Sequence, residues 1–294
     1  MKVYLNGNFV DEAEAKVSVF DHGLLYGDGV FEGIRAYGGR VFQLEAHIRR
    51  LFAAAKAIDL AVPMSKAELA AVVTGTLARN RLTSGYIRLV VTRGKGDLGL
   101  SPATCKTPSV ICIAADITLY PKEMYEKGMP IVTASARRNN ATIVDPQIKS
   151  LNYLNNILAK IEANRAGVPE ALLLTDKGIV AECTGDNIFI VTDGEVWTPP
   201  IHVGILDGIT RRVVIGIARR LGYTVREKEF TLFNLYSADE CFLTGTAAEA
   251  IAVTRADGRV IGQGVSGPVT NRLLAAFREE VLKPENGMQI GLEK

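Results

Sequence analysis

Lys149 occupies a position at which a lysine can carry out covalent chemistry. It follows the irregular segment Asp145–Ile148 and precedes Ser150–Tyr153, where a helix is predicted to begin. A lysine at such a junction can point into a pocket, where the loss of water lowers the pKa of its amine and makes the amine nucleophilic. Because most lysines are solvated surface residues, this position alone does not distinguish Lys149 from the other lysines.

Two further segments place polar residues and glycine beside predicted secondary-structure elements. Glu182 places an acid shortly before the apolar strand Asn187–Phe189. Leu206–Arg211 places Gly208 and Thr210 at the start of a predicted helix. The alternative interpretation of Glu182 is an exposed glutamate of a hairpin.

Three other signals do not support a function. Gly94–Gly99 matches G-x-G-x-x-G, but Ser101-Pro102 and Pro108 follow where the dinucleotide fingerprint needs a helix, so we interpret the segment as a glycine-rich mobile loop. The sequence has no G-x-S-x-G motif of the serine hydrolases. The three histidines are too far apart along the chain to indicate a metal site: His22, His47 and His202.

The composition argues against several classes of partner. The 294 residues include 34 basic and 32 acidic side chains without a basic block, which argues against binding to nucleic acid or to an anionic membrane. No apolar run approaches the roughly 20 residues that a membrane helix needs. The cysteines are scattered without a C-x-x-C pair, so we expect a reduced, cytoplasmic protein with no disulfides and no structural zinc: Cys105, Cys112, Cys183 and Cys241.

Turn residues and apolar periodicity predict the elements that must position these groups. Apolar residues at helical spacing predict an amphipathic helix, and a capping box at Ser65–Glu68 starts a second one. In the N-terminal part we predict hairpins that turn at 6–7 and 38–39, helices at 48–59 and 65–80, and strands at 86–93 and 109–115. In the C-terminal part we predict helices at 153–166, 209–221 and from 268, hairpins that turn at 176–178 and 193–194, and strands at 131–136, 223–227, 240–243 and 250–254.

Strands and helices mix without strict alternation, which predicts an α+β (mixed α/β) fold with two domains. The length also exceeds the usual range for one domain. We place an N-terminal domain at 1–118, a linker at 119–128, which contains Pro121 and Gly128, and a C-terminal domain at 129–294, which carries Lys149.

The sequence resembles the class IV aminotransferases over nearly its whole length. The family signature is present in Glu182, Thr184, Asn187-Ile188-Phe189, Thr198 and the run Leu206-x-Gly208-Ile209-x-Arg211. The resemblance extends over Phe20–Arg35, Lys149–Asn155 and Asp239–Glu249, and the most similar branch is the branched-chain amino-acid aminotransferases.

The resemblance implies a fold-type-IV enzyme, like the D-amino-acid aminotransferases in fold, that depends on pyridoxal 5'-phosphate. Lys149 would form the Schiff base and then act as general base and acid. Glu182 would pair with the pyridine nitrogen, and Tyr153 would donate to the phenolic oxygen of the ring. The phosphate would be bound by Arg50, Ile209, Thr210 and Thr246.

The resemblance also implies a substrate site. Tyr86 and the backbone amides of Thr246 and Ala247 would hold the α-carboxylate. Arg88 would bind the distal carboxylate of glutamate. An apolar pocket would be formed by Phe31, Gly33, Tyr153 and Tyr26 of the partner subunit in a homodimer or larger oligomer.

The implied reaction is the reversible transfer of an amino group from L-leucine, L-isoleucine or L-valine to 2-oxoglutarate, which gives branched-chain 2-oxo acids and L-glutamate. Within the family the alternatives are a D-amino-acid transaminase, an (R)-amine transaminase and an aminodeoxychorismate lyase. Outside it, the alternative is a non-catalytic binding protein on the same fold.

Overall fold

The computed structural model describes residues 1–117 and 120–291 and confirms an α+β fold. Its strands are β1 (Lys2–Leu5), β2 (Asn8–Asp11), β3 (Gly29–Tyr37), β4 (Arg40–Phe42), β5 (Gly85–Thr92), β6 (Ser109–Ala115), β7 (Met129–Arg137), β8 (Glu170–Leu174), β9 (Val180–Cys183), β10 (Asn187–Thr192), β11 (Glu195–Thr198), β12 (Val225–Glu227), β13 (Glu240–Gly245), β14 (Glu249–Ala256), β15 (Arg259–Val260) and β16 (Gly287–Gln289). Its α-helices are α1 (His22–Tyr26), α2 (Leu44–Ala57), α3 (Lys66–Arg79), α4 (Lys122–Lys127), α5 (Leu154–Arg165), α6 (Ile209–Arg220), α7 (Leu232–Tyr236) and α8 (Pro268–Glu280).

The first of two compact units contains a seven-stranded antiparallel sheet in the order β16-β4-β3-β5-β6-β1-β2. Helices α2 and α3 contact this sheet and bury their apolar stripes in one core. The predicted capping box is present, because Ser65 Oγ accepts from Glu68 N at 3.2 Å and Glu68 Oε2 accepts from Ser65 N at 2.7 Å. The predictions of two amphipathic helices in this part of the chain are therefore confirmed.

The second unit contains a mixed sheet in the order β12-β11-β10-β13-β14-β7-β8-β9, with β15 paired to β14. Its central strands β10, β13 and β14 consist almost entirely of buried residues. Such continuous apolar strands require cover on both faces of a sheet. Helices α6 and α8 contact β13, and α5 contacts β7 and β8, which provides part of that cover.

The segment that carries Lys149 belongs to the first unit, which differs from the predicted C-terminal assignment. That unit comprises Met1–Ile117, Ile148–Asn152 and the chain from Val281 onward. The reason is backbone pairing with β3: Phe31 N donates to Lys149 O at 2.9 Å, and Leu151 N donates to Gly29 O at 2.9 Å. Local sequence cannot show this, because the paired segments lie far apart along the chain.

The predicted linker at 119–128 also differs from the structure. Its described part contains the short helix α4, in which Lys122 pairs with Glu126 and Glu123 pairs with Lys127. The boundary between residues 118 and 119 lies outside the described residues and stays a prediction. The short helices α1 and α7 were not predicted either, since five residues are too few to show apolar periodicity.

Within residues 1–117 and 120–291, no helix is long and apolar enough to cross a membrane. In the same ranges, no group of three His, Cys, Asp or Glu side chains is arranged to hold a metal ion. After the Gly94–Gly99 motif the chain forms a single 3-10 turn at Pro102–Thr104 rather than an α-helix, which agrees with a glycine-rich loop.

Two carboxylates share a buried polar cluster in the second unit. The Tyr120 hydroxyl donates to Glu170 Oε2 at 3.5 Å and to Asp186 Oδ2 at 3.4 Å, and Thr184 donates to Glu170. Burial and the neighbouring charge of Glu170 raise the pKa of Asp186 from 3.8 to about 7. Below about pH 7, Asp186 therefore holds a proton in this core.

Replacing Asp186 should change how stability depends on pH. Because the pKa of Asp186 is raised on folding, its contribution to stability falls as pH rises from about 4 to 7 and stays unfavourable above that range. As the pH rises from 5 to 8, Asp186→Asn should therefore gain stability relative to the parent, by about 2–3 kcal/mol. The free energies of unfolding of the parent and the variant, measured in urea at pH 5 and at pH 8, test this. The exposed Asp176→Asn is the control, and equal shifts for both variants would contradict the assignment.

Candidate active site

Strands β3 and β5 place four of the predicted site residues on one face of the first sheet. Gly33 pairs with Arg88 across the strands, and alternation along each strand puts Phe31 and Tyr86 on the same face. On β5 this face is half-buried, whereas the opposite face, which holds Ile87, lies in the core. The sheet face that carries Phe31 and Tyr86 is therefore not fully covered by the core of this unit.

The side chains on this face are in contact with one another and with Lys149. Lys149 Nζ lies 4.5 Å from the centre of the Phe31 ring, and Arg88 Cζ lies 4.6 Å from the same centre. Both distances are in the range of cation–π interaction. Arg88 Nη2 also donates to the Tyr86 hydroxyl at 2.9 Å. One aromatic ring thus contacts both an amine and a guanidinium.

The absence of a side chain at Gly33 makes room for Tyr86 in this packing. A Cβ at this position would collide with the hydroxyl oxygen of Tyr86. Any other residue would therefore displace Tyr86 and its hydrogen bond to Arg88. The structure thus gives the predicted pocket residue Gly33 a steric role.

Tyr26 lies on α1, where His22 of the same helix packs edge-on against its ring with 5.0 Å between the ring centres. The Tyr26 hydroxyl donates to Leu98 O at 2.6 Å, and the residue is partly exposed. These contacts attach α1 to the loop after β5. The predicted role of Tyr26 in the site of a partner subunit stays a prediction.

Glu32 projects from the other face of β3 and pairs with α2. Its carboxylate accepts from Arg50 Nε at 2.8 Å, from Arg50 Nη2 at 2.7 Å and from His47 Nδ1 at 2.8 Å. Burial would raise the pKa of Glu32, but Arg50 and His47 lower it to about 2. Arg50, predicted to bind phosphate, is therefore held by an ion pair that the sequence analysis missed.

In the second unit, Glu182 on β9 is a buried carboxylate that is held at both oxygens. Its Oε1 lies 2.8 Å from Arg138 Nη2. Its Oε2 accepts from Asn187 Nδ2 at 3.0 Å and from Leu206 N at 3.0 Å. Arg138 balances the charge of Glu182, and no feature of the local sequence singles it out because it lies on a distant segment of the chain.

Several signature residues form the framework of the helix α6 N-terminus. Asn187 Nδ2 donates to Leu206 O as well as to Glu182, and a Cβ at Gly208 would collide with Asn187 Oδ1. Thr198 Oγ1 donates to Ile188 O at 2.9 Å. Arg211 Nη2 donates to Pro199 O and to Glu227, each at 2.9 Å. These signature residues thus fix the distance between the carboxylate of Glu182 and the start of helix α6.

The N-terminus of α6 has the general features of an anion site. Its N-cap is Gly208, which has no side chain to cap the helix. The N–H groups of the first turn, which includes Ile209 and Thr210, have no partners within the helix, and the helix dipole adds positive potential there. In the same unit, Thr246 and Ala247 lie in the turn between β13 and β14, and Tyr153 is the N-cap of α5.

These groups suit pyridoxal phosphate, which carries an aldehyde, a ring nitrogen and a phosphate. Lys149 in the first unit supplies an amine. In the second unit, Glu182 supplies a charge-balanced buried carboxylate, and the uncapped start of α6 supplies an anion site. The α+β fold and these chemical groups are those that a pyridoxal-phosphate enzyme requires.

The chain belongs to the class IV aminotransferase family, since residues 29–256 match the family model described as amino-transferase class IV. The predicted family, its cofactor and its transaminase activity are thereby confirmed. The assignment of individual residues to catalysis and binding stays a prediction.

Three relatives illustrate the similarity. A putative branched-chain-amino-acid aminotransferase of Methanocaldococcus jannaschii is 55% identical over 279 residues, which are 95% of this chain and 96% of that protein. A D-alanine aminotransferase of Listeria monocytogenes is 38% identical over 96% of this chain and 97% of its own. The crystal structure of a T.th. branched-chain amino acid aminotransferase complexed with N-(5'-phosphopyridoxyl)-L-glutamate has a TM-score of 0.93 and 39% identity, and covers 99% of this chain and 98% of its own.

Gly208→Ala should disrupt the acid and the helix start together. The added methyl group would force Asn187 to move and would break its bonds to Glu182 and Leu206 O. We expect a loss of roughly 1–3 kcal/mol in the free energy of unfolding, measured in urea, together with weaker cofactor binding. Gly216→Ala on the same helix is the matched control, because its Cβ would meet only Arg220 Nη1 at 3.9 Å. It should be neutral or stabilising. Equal losses in both variants would refute the steric account.

Proposed function

We propose that this aminotransferase transfers the amino group of L-leucine, L-isoleucine or L-valine to 2-oxoglutarate. The observation that carries the proposal is the contact of Phe31 with Arg88 on one sheet face. An aromatic ring suits a branched aliphatic side chain, and the guanidinium beside it suits a second carboxylate. The 55% identical relative named as a branched-chain enzyme supports this proposal.

When bound, pyridoxal phosphate supplies an aldehyde for attachment and a conjugated ring that accepts electron density. Lys149 provides the amine for attachment. During the reaction its Nζ would take the proton from the substrate's α-carbon as general base and, as general acid, return it two atoms away in a 1,3-proton shift. The aromatic ring of Phe31 lies against Lys149 Nζ and limits its contact with water.

The second unit supplies the groups that bind the cofactor's ring. Glu182 holds the proton on the ring nitrogen, and Arg138 and Asn187 fix its carboxylate in one orientation. A preorganised charge of this kind stabilises the transition state without reorganisation. Tyr153 donates its hydroxyl proton to the phenolic oxygen of the ring.

Phosphate binding is assigned to groups that donate hydrogen bonds. Ile209 and Thr210 do so through the first turn of α6, and Thr246 does so from the turn before β14. Arg50 contributes a guanidinium that Glu32 holds in place. We thus propose Arg50, Ile209, Thr210 and Thr246 as the phosphate contacts.

Substrate recognition is divided between the carboxylates and the side chain. Tyr86 and the backbone amides of Thr246 and Ala247 bind the α-carboxylate. Arg88 binds the distal carboxylate of glutamate or 2-oxoglutarate. Phe31, Gly33, Tyr153 and Tyr26 of the partner subunit form the apolar pocket.

We propose a homodimer or larger assembly, because exposed apolar side chains cluster in two regions. Helix α5 exposes a stripe at the spacing i, i+3, i+4 and i+7, and the α1 region exposes a second cluster. The residues are Leu154, Ile157, Leu158 and Ile161 on α5, and Phe20, Leu24, Leu25, Leu98 and Leu100 near α1. A cytoplasmic location is proposed because all four cysteines, each within the described ranges, are free thiols.

A donor panel tests the function. With 2-oxoglutarate as acceptor, L-leucine, L-isoleucine and L-valine should give higher kcat/KM than D-alanine or (R)-1-phenylethylamine, as measured by glutamate formation. L-Alanine should be slower than leucine by roughly 10–200-fold or more, because it lacks the methylene groups that an apolar pocket rewards. Lys149→Ala provides the background rate. Faster turnover of D-alanine than of L-leucine would identify a D-amino-acid transaminase instead, the activity named for the Listeria relative.

Arg88→Ala should separate the two half-reactions. Burial of glutamate's distal carboxylate without Arg88 is unfavourable, so kcat/KM for glutamate and 2-oxoglutarate should fall. The loss of transition-state stabilisation calculated from kcat/KM should be roughly 2–5 kcal/mol. The leucine half-reaction, followed by the cofactor's absorbance, should change much less. Arg79→Ala is the control, since Arg79 also stacks on an aromatic ring, that of Phe9 at 3.8 Å. An equal fall in both half-reactions would mean that Arg88 serves the shared α-carboxylate or the fold.

A further inference from the structure

The buried carboxylate of Glu32 has no role in the proposed reaction. It lies between the pocket residues Phe31 and Gly33 on β3, but alternation directs it to the opposite face, toward α2. Its side chain is fully buried, and those of His47 and Arg50 are 2% and 10% exposed. His47 and Arg50 are three residues apart on α2 and therefore reach the same carboxylate.

The charges in this network nearly cancel. Arg50 and His47 lower the pKa of Glu32 to about 2 against the effect of burial, so the carboxylate is ionised. Burial lowers the pKa of His47, which is neutral at pH 7 and can donate only through Nδ1 to Glu32. Ionised Glu32 and Arg50 then sum to zero. Glu32 cancels the charge of Arg50 and so weakens its electrostatic attraction for a phosphate. Charge alone therefore does not explain why a carboxylate lies beside an arginine that is proposed to bind phosphate.

Geometry provides that explanation. Glu32 accepts from Nε and Nη2 of Arg50, which are two donors on one edge of the guanidinium. Two parallel bonds fix the plane of the group as well as its position. An arginine side chain otherwise loses conformational entropy when a ligand orders it, and the pair with Glu32 imposes that order before any ligand binds.

We propose that Glu32 is a positioning residue, which holds the guanidinium of Arg50 in the orientation that binds the cofactor's phosphate. This inference rests on the proposed role of Arg50 as a phosphate contact. His47 completes the arrangement by donating to the second oxygen of the carboxylate and by keeping it from rotating.

Neutralising Glu32 should weaken phosphate binding, whereas a purely electrostatic role of Glu32 would make the same change strengthen it. If Glu32 acted only through its charge, it would repel the phosphate, and neutralising it would tighten phosphate binding. If it acts by holding Arg50, neutralising it releases the guanidinium and weakens phosphate binding. Glu32→Gln keeps the size of the side chain and distinguishes the two.

The experiment compares pyridoxal phosphate with pyridoxal, which lacks the phosphate. Apoenzyme is titrated with each compound, and the ratio of the two affinities reports the phosphate contribution alone. Glu32→Gln should lower this ratio by roughly 10–100-fold, the range seen when a group that orients a ligand-binding side chain is removed from metal sites. Pyridoxal affinity itself should change little.

Glu240→Gln is the control for loss of a buried carboxylate. Glu240 accepts from Val269 N at 3.0 Å and Thr270 N at 2.7 Å at the start of α8, and it belongs to the second unit. This variant should lose stability without changing the affinity ratio. A change in ratio as large as that of Glu32→Gln would show a general effect of destabilisation and would overturn the inference.

Two variants of Arg50 separate failure of the inference from failure of the proposed function. Arg50→Ala should lower the ratio, and adding Glu32→Gln to it should cause no further loss, because Glu32 acts through Arg50. If Arg50→Ala leaves the ratio unchanged, the proposed phosphate role of Arg50 is wrong and the inference falls with it. If Arg50→Ala lowers the ratio while Glu32→Gln leaves or raises it, only the inference is wrong.

Arg50→Lys keeps the test decisive if Glu32→Gln does not fold. Lysine retains the charge but has a single nitrogen and cannot form the paired bonds to Glu32. The ratio for Arg50→Lys should therefore lie close to that of Arg50→Ala. A ratio equal to that of the parent would show that charge suffices and would overturn the inference.

Discussion

The short antiparallel pairing between residues 149–151 and β3 determines where the side chain of Lys149 lies in the first unit. Two backbone hydrogen bonds hold Lys149 beside the strand that carries Phe31, and the lysine's amine then lies 4.5 Å from the Phe31 ring. The paired backbone thereby restricts where this flexible side chain can reach. The sheet face that carries Phe31 and the amine of Lys149 are thus parts of one hydrogen-bonded structure.

In the second unit, much of the family signature is a framework rather than a set of reacting groups. Asn187 donates to the carboxylate of Glu182 and to the backbone just before α6, while Gly208 leaves room for it. Thr198 and Arg211 tie the neighbouring chain to the same region through buried bonds to backbone carbonyls. The spacing of the signature is strict because each residue bridges two elements.

The sequence predicted the long helices and the residues of the signature, because helical periodicity and motif spacing are local properties. It also predicted that Phe31, Gly33, Tyr86 and Arg88 belong together, and the register of β3 and β5 places them on one face. It missed the pairing of Glu182 with Arg138 and the placement of Lys149 beside β3. Both depend on contacts between distant segments, which no window of the sequence contains.

The close approach of Tyr86 to Gly33 makes these two positions depend on each other. A Cβ at position 33 would collide with the Tyr86 hydroxyl oxygen, so a larger residue there has to move that ring and its hydrogen bond to Arg88. A library that varies position 33 alone therefore alters three side chains at once, whereas a library that varies positions 33 and 86 together separates the effect of size from the loss of the bond to Arg88.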